Sequence, residues 1–227
     1  MSVWGHMFAA IYDRMAAKTE EAGLSAHRET LLANATGDVL EIGGGTGRNL
    51  QFYEQRVRTL TITEPEKPMI RRLQRHIQQR RPDAKLLRAP AEDLPFRDAS
   101  FDTTVSTLVL CAVDDQPRAL RELHRVLRPG GKLLFIEHVR ADDANLARRQ
   151  DRMDPVNLRV VRCHCNRPTL ESIRSAGFNV TQLEQDTLEH VPQFARPLIV
   201  GVAERTEIEP KSPADHDRVS LAAQPLA

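Results

Sequence analysis

Glu41 and the glycines that follow it, Gly43, Gly44, Gly45 and Gly47, are the residues of this chain best suited to holding a small charged molecule. Glycine tolerates unusual backbone angles and lets a ligand touch the main chain. A short apolar run, residues 39–42, delivers the acid, and the residues from Thr46 onward can start a helix. Such a helix points its free N–H groups back at the loop. Apolar run, glycine turn and helix are how a parallel α/β sheet builds a nucleotide pocket. A dinucleotide fingerprint also needs glycine at its first, third and sixth positions. Counted from Gly43 the sixth position is Arg48, and from Gly45 it is Leu50, so a pyrophosphate seat is not encoded.

A second acid, Glu64, closes the next apolar segment ahead of Pro65. An acid at that strand end, about 20 residues beyond the glycine turn, can accept both hydroxyls of a ribose. The same side chain could instead cap the helix that follows. Two histidines are candidates for proton exchange near neutral pH, His138 at the end of a strand and His164 ahead of a late helix. Each has a purely structural alternative. Cys163, His164 and Cys165 are adjacent, but without a second, distant pair of ligands they fall short of a zinc pattern. No metal is expected from spacing alone. Cys111 reads as a small buried hydrophobe.

The spacing Glu41-x-Gly43-x-Gly45-x-Gly47 resembles the first motif of the class I methyltransferases that use S-adenosylmethionine (SAM). That resemblance implies a loop beneath the methionine part of the cofactor, with Glu41 holding its ammonium group. It assigns Glu64 and Pro65 to the ribose side. The segment Ala91-Glu92-Asp93-Leu94-Pro95-Phe96 is similar to the family's adenine-side motif. Pro90 stands where an Asp is usual, and a proline offers neither a polar side chain nor an N–H. The Ala91 N–H and the Glu92 side chain are left to meet the ring. Ser106, Thr107 and Leu108 would border the methionine arm, and S-adenosylhomocysteine would be the product. Segments around residues 136–140, 149–151 and 163–169 resemble the branch that contains the microsomal alkyl thiol S-methyltransferases.

These residues need a scaffold, and the periodicity supplies one. Residues 39–42, 57–63, 84–87, 101–107, 132–139, 178–183 and 197–203 read as strands. Helical patterns follow at 66–80, from Pro117, and at 169–176, with Arg128-Pro129-Gly130-Gly131 as a turn. The expected architecture is α/β and Rossmann-like, a mostly parallel seven-stranded sheet with helices on both faces. Residues 1–34 read as an N-terminal helical cap with Gly23 as a break, and 35–205 as the SAM-dependent domain. Residues 141–167 read as a lid-like insert over the acceptor, and 206–227 as a disordered tail.

Composition narrows the function. With 32 Lys+Arg against 31 Asp+Glu in 227 residues, no global charge invites nucleic acid. A basic helix face at 66–81 could touch RNA, but with 4% aromatics there is little to stack bases, and a solvated face explains it. No apolar run approaches the ~20 residues of a membrane span, and no export leader is evident. Three cysteines do not make a disulfide framework. Together with these exclusions, the resemblance implies a cytoplasmic transferase moving a methyl group to a small-molecule thiol, hydroxyl or amine. A non-catalytic SAM-binding scaffold, suggested by Pro90, is the alternative.

Overall fold

The computed structural model describes residues 17–206. Seven strands, β1 (Gly37–Ile42), β2 (Val57–Thr63), β3 (Lys85–Leu87), β4 (Phe101–Thr107), β5 (Leu127–His138), β6 (Phe178–Thr187) and β7 (Pro197–Arg205), form one sheet. Their order is β3-β2-β1-β4-β5-β7-β6. The first five pair in parallel, and β7 runs antiparallel to both β5 and β6. The order reverses between β1 and β4, and ligands of open α/β sheets sit at the carboxyl ends beside such a switch point. The seven-stranded, mostly parallel expectation holds.

The helices are α1 (Ser25–Leu32), α2 (Lys67–Arg80), α3 (Gln116–Val126), α4 (Ala144–Val161) and α5 (Thr169–Ser175). Their apolar stripes explain their sides. Leu31 and Leu32 of α1 and Leu73 and Ile77 of α2 join one core with Val39, Leu60 and Ile62 of the sheet. Ala119, Leu120 and Leu123 of α3 and Leu170 and Ile173 of α5 join the opposite core with Leu40, Ile42 and Phe135. The sheet is therefore buried on both faces, which suits its runs of Val, Ile and Leu. Asp115 starts α3 by accepting a hydrogen bond from the Arg118 N–H at 2.9 Å, and Pro117 fits its first turn.

Four local departures from expectation have physical causes. After Gly47 the chain forms only a 3-10 turn, Arg48–Gln51, because Asn49 is drawn inward by buried partners described below. Residues 128–131 belong to β5 but bulge from it. The register jumps from Phe101 opposite Leu127 to Thr103 opposite Lys132. β6 runs on to Thr187 because β7 offers it partners as far as Pro197. The segment 141–167 is mostly the 18-residue helix α4. Its base is tied down by the buried Gln150, which donates to the carbonyls of Val139, Cys165 and Phe194 and accepts from the Ala141 N–H.

Residues 1–16 and 207–227, holding nearly half of the expected cap and all but the first residue of the expected tail, lie outside the described residues. The described part of the cap is helical around a break at Gly23, where φ is 136°, as the sequence suggests. Among the described residues no helix is long and apolar enough to cross a membrane.

Candidate active site

The glycine loop leaves the carboxyl end of β1. A side chain at Gly44 would collide with Ile62 and come within 2.9 Å of Leu73, so the loop lies flat against β2 and α2. Gly45, with φ of 55°, faces open space on its Cβ side, where the nearest heavy atom would be 3.9 Å away. The loop is thus packed on one side and approachable at Gly45.

Glu64, at the end of β2, holds that approachable point. Its Oε2 accepts from the Gly45 N–H at 2.8 Å, and its Oε1 accepts from the Glu66 N–H at 2.9 Å, at the start of α2. Burial raises its carboxyl above the ordinary range. A carboxylate has about four acceptor sites, so two remain for ligand hydroxyls. Pro65, the next residue, offers its carbonyl to Arg88 at 3.0 Å.

Glu41 is buried at the centre of a polar chain. Its Oε1 accepts from Asn49 Nδ2 at 3.0 Å and its Oε2 from the Tyr53 hydroxyl at 2.8 Å. Asn49 Nδ2 also donates to Thr107 Oγ1 at 3.0 Å, and Asn49 Oδ1 accepts from Arg28 Nη1 at 2.7 Å. Arg28 in turn forms a buried pair with Glu20, 3.0 Å apart. Desolvation pushes the Glu41 carboxyl up to about 7, against the Tyr53 hydrogen bond and the Arg28 charge that favour ionisation. The N-terminal helices, glycine loop and β4 end are therefore joined through one side chain, Asn49. The sequence pattern did not single out Asn49, Tyr53, Arg28 or Glu20.

At the end of β4 the backbone turns sharply, with Leu108 at φ of 59°. Glu137, fully buried on β5, fastens that turn. Its Oε1 accepts from the Ser106 hydroxyl at 2.6 Å and from the N–H groups of Val109 and Leu110, each at 3.0 Å. Its Oε2 accepts from the Cys111 N–H at 3.1 Å. Burial raises its carboxyl despite these donors. Ser106 and Thr107 are buried behind the turn, while Leu108 is half-buried. On the adenine side, Ala91 is buried in the core beside Leu94. Glu92 Oε1 accepts from the N–H groups of Asp114 and Asp115 at 2.9 and 3.2 Å, so it braces the approach to α3.

The two histidines occupy different environments. His138, at the end of β5, turns Nδ1 toward Cys111 Sγ at 3.5 Å and Cys163 Sγ at 3.3 Å. Desolvation lowers its pKa to about 4, so the imidazole is neutral at neutral pH. His164 Nδ1 lies 2.9 Å from Asp154 Oδ1 and 3.0 Å from its Oδ2, and its backbone N–H donates to the Cys111 carbonyl at 2.7 Å. Asp154, on α4, escaped the sequence pattern.

Sheet order, glycine loop and two strand-end acids make a candidate ligand site in an α/β fold. Comparison with known proteins makes that specific. Residues 40–135 match the family model described as "Methyltransferase domain". The chain is 33% identical over 205 residues to thiol S-methyltransferase TMT1A of Homo sapiens, covering 86% of this chain and 82% of that one. It is 33% identical over 141 residues to a phosphatidylethanolamine N-methyltransferase of Cereibacter sphaeroides, covering 61% and 68% respectively. A SAM-dependent methyltransferase of Thermotoga maritima, described as a possible histamine N-methyltransferase, superposes with a TM-score of 0.68 at 22% identity. That match covers 88% of this chain and 98% of the other. The chain belongs to the class I SAM-dependent methyltransferases, and SAM is its cofactor. It resembles the branch that holds the thiol S-methyltransferases.

Proposed function

We propose that this enzyme methylates the sulfur of a small thiol. The carrying observation is the extent of the likeness to the human thiol S-methyltransferase. It spans 205 residues, well beyond residues 40–135, and so takes in the 141–167 segment that this reading sets over the acceptor.

The chemistry is a direct displacement, in which a sulfur lone pair attacks the methyl carbon as the C–S bond to the sulfonium breaks. Thioether and S-adenosylhomocysteine leave, and the thiol proton goes to a base or to water. Most of the rate gain comes from holding the reactants in line, since oriented groups reach effective molarities of ~10⁵ M or more. In this reading Glu41 faces the cofactor's ammonium, Glu64 its ribose, and the Gly43–Gly47 backbone its methionine arm. Thr107 and Leu108 border the sulfonium, Ala91 and Glu92 lie on the adenine side, and Ser106 supports the turn from behind. His164, oriented by Asp154, takes the thiol proton. His138 serves the wall of the site.

The test is S-adenosylhomocysteine formation with a matched panel of alkyl thiols, phenols and amines. Thiols should turn over at least tenfold faster in kcat/KM, with the rate rising as pH climbs toward the ordinary thiol range near ~8.5. Turnover of amines or phenols without thiols would overturn the acceptor and leave the transferase. Tight SAM binding with no product from any class would favour a scaffold.

A further inference from the structure

Cys111, His138 and Cys163 come from three separate parts of the chain, yet their side chains converge. Cys111 follows β4, His138 ends β5, and Cys163 lies between α4 and α5. We propose that they form a site for a thiophilic divalent cation of the zinc class, held by two sulfurs and His138 Nδ1.

Distances carry the argument. Zinc bonds of about 2.3 Å to sulfur and about 2.0–2.1 Å to nitrogen, at tetrahedral angles, put nitrogen roughly 3.5 Å from each sulfur. Here His138 Nδ1 is 3.5 Å from Cys111 Sγ and 3.3 Å from Cys163 Sγ. The three ligand atoms all lie within 4.8 Å of one another. Cys165 Sγ is 3.8 Å from Cys163 Sγ but falls outside that mutually close set. Three protein ligands leave a fourth position for water or a small ligand, the pattern of sites that act on substrates.

The surroundings fit a built site. Each ligand's backbone is pinned by a hydrogen bond. Cys111 N–H donates to Glu137, the His138 carbonyl accepts from Thr169 Oγ1 at 3.2 Å, and the Cys163 carbonyl accepts from Asn157 Nδ2 at 2.6 Å. These bonds fix the backbone from which each ligand side chain projects. Charge balances as well. Binding expels two thiol protons to solvent, so two thiolates neutralise the dication and the buried cluster carries no net charge. The site would clamp β4, β5 and the α4–α5 connection together at the ligand face. It stands whichever acceptor is methylated.

Cobalt(II), a coloured zinc analogue, supplies the test. The reduced full-length protein is titrated without air and followed by thiolate-to-metal charge-transfer absorption. One equivalent should bind and give that band. Cys111→Ser and Cys163→Ser should each weaken binding roughly a hundredfold or more, since even outer partners are worth 10–100-fold. Cys165→Ser should keep the band and the stoichiometry. SAM calorimetry on each variant checks folding. Should a variant fail to fold, zinc stoichiometry of the wild type against a chromophoric chelator decides. Absence of tight binding to the wild type, an unchanged band in Cys111→Ser and Cys163→Ser, or its loss in Cys165→Ser would overturn the proposal.

Discussion

The Glu64 carboxylate accepts a hydrogen bond from the Gly45 N–H at 2.8 Å, tying the end of β2 to a loop position with open space beside it. The acid therefore shapes the loop, its other oxygen accepts from the Glu66 N–H just ahead of α2, and its part toward a ribose is the role proposed above. Glu64→Ala should weaken SAM binding by roughly ten- to a hundredfold, corresponding to about 1.4–2.7 kcal/mol. Calorimetry measures it. An unchanged affinity would separate Glu64 from the cofactor.

Glu41 gives a pH dependence with a definite sign. Its carboxyl is raised from 4.5 to about 7 in the folded chain, so below about 7 it is mostly neutral and attracts an ammonium weakly. SAM affinity should fall as pH drops from about 7 to 5, approaching tenfold per pH unit as one proton is displaced on binding. Glu41→Gln should bind weakly and lose that slope. In the ligand-free chain the sign is opposite. A raised carboxyl contributes stability that is full below 4.5 and lost as pH climbs through about 7. SAM affinity of the wild type that does not change across this range would contradict the ammonium role.

Arg28 is buried between Glu20 and Asn49, so removing it leaves the buried Glu20 carboxylate to the Ser25 hydroxyl at 3.1 Å and Arg48 at 4.0 Å. Arg28→Met should cost about 3–5 kcal/mol. At roughly 2–4 °C per kcal/mol, thermal melting would fall by on the order of 10 °C. Asn49→Ala should cost about 1–3 kcal/mol and also weaken SAM binding, because Glu41 loses a donor. Melting curves with and without SAM separate the two effects.

His164 and Asp154 make a prediction about chemistry alone. His164→Ala should lower kcat/KM for thiols by about 10²-fold at neutral pH, with SAM affinity unchanged. The loss should shrink at higher pH, where the thiol ionises without help. Equal loss at every pH would assign the pair to structure.

The sheet and the family were legible in sequence because each strand end at the glycine loop carries a local signature. Glycine spacing, Glu64 before Pro65 and the apolar stripe of α3 are short-range patterns. What escaped depends on distance in the chain. The helix expected after Gly47 yields to a short turn because Asn49 and Tyr53 satisfy buried Glu41, and propensity is a weak prior against such partners. Glu137 looked like one more residue of a buried strand, though it fastens the turn after β4. Cys163 and Cys165 without a second ligand pair said little. The neighbours of Cys163, Cys111 and His138, are brought in by the ends of β4 and β5, and no spacing rule reaches that far.

The most direct trial of the whole account incubates the purified chain with SAM and a reduced alkyl thiol, counting both products by mass spectrometry. Methyl thioether and S-adenosylhomocysteine should form in equal amounts, and Glu64→Ala should suppress both at limiting SAM. SAM that binds yet stays intact before thiols, phenols and amines alike would contradict it.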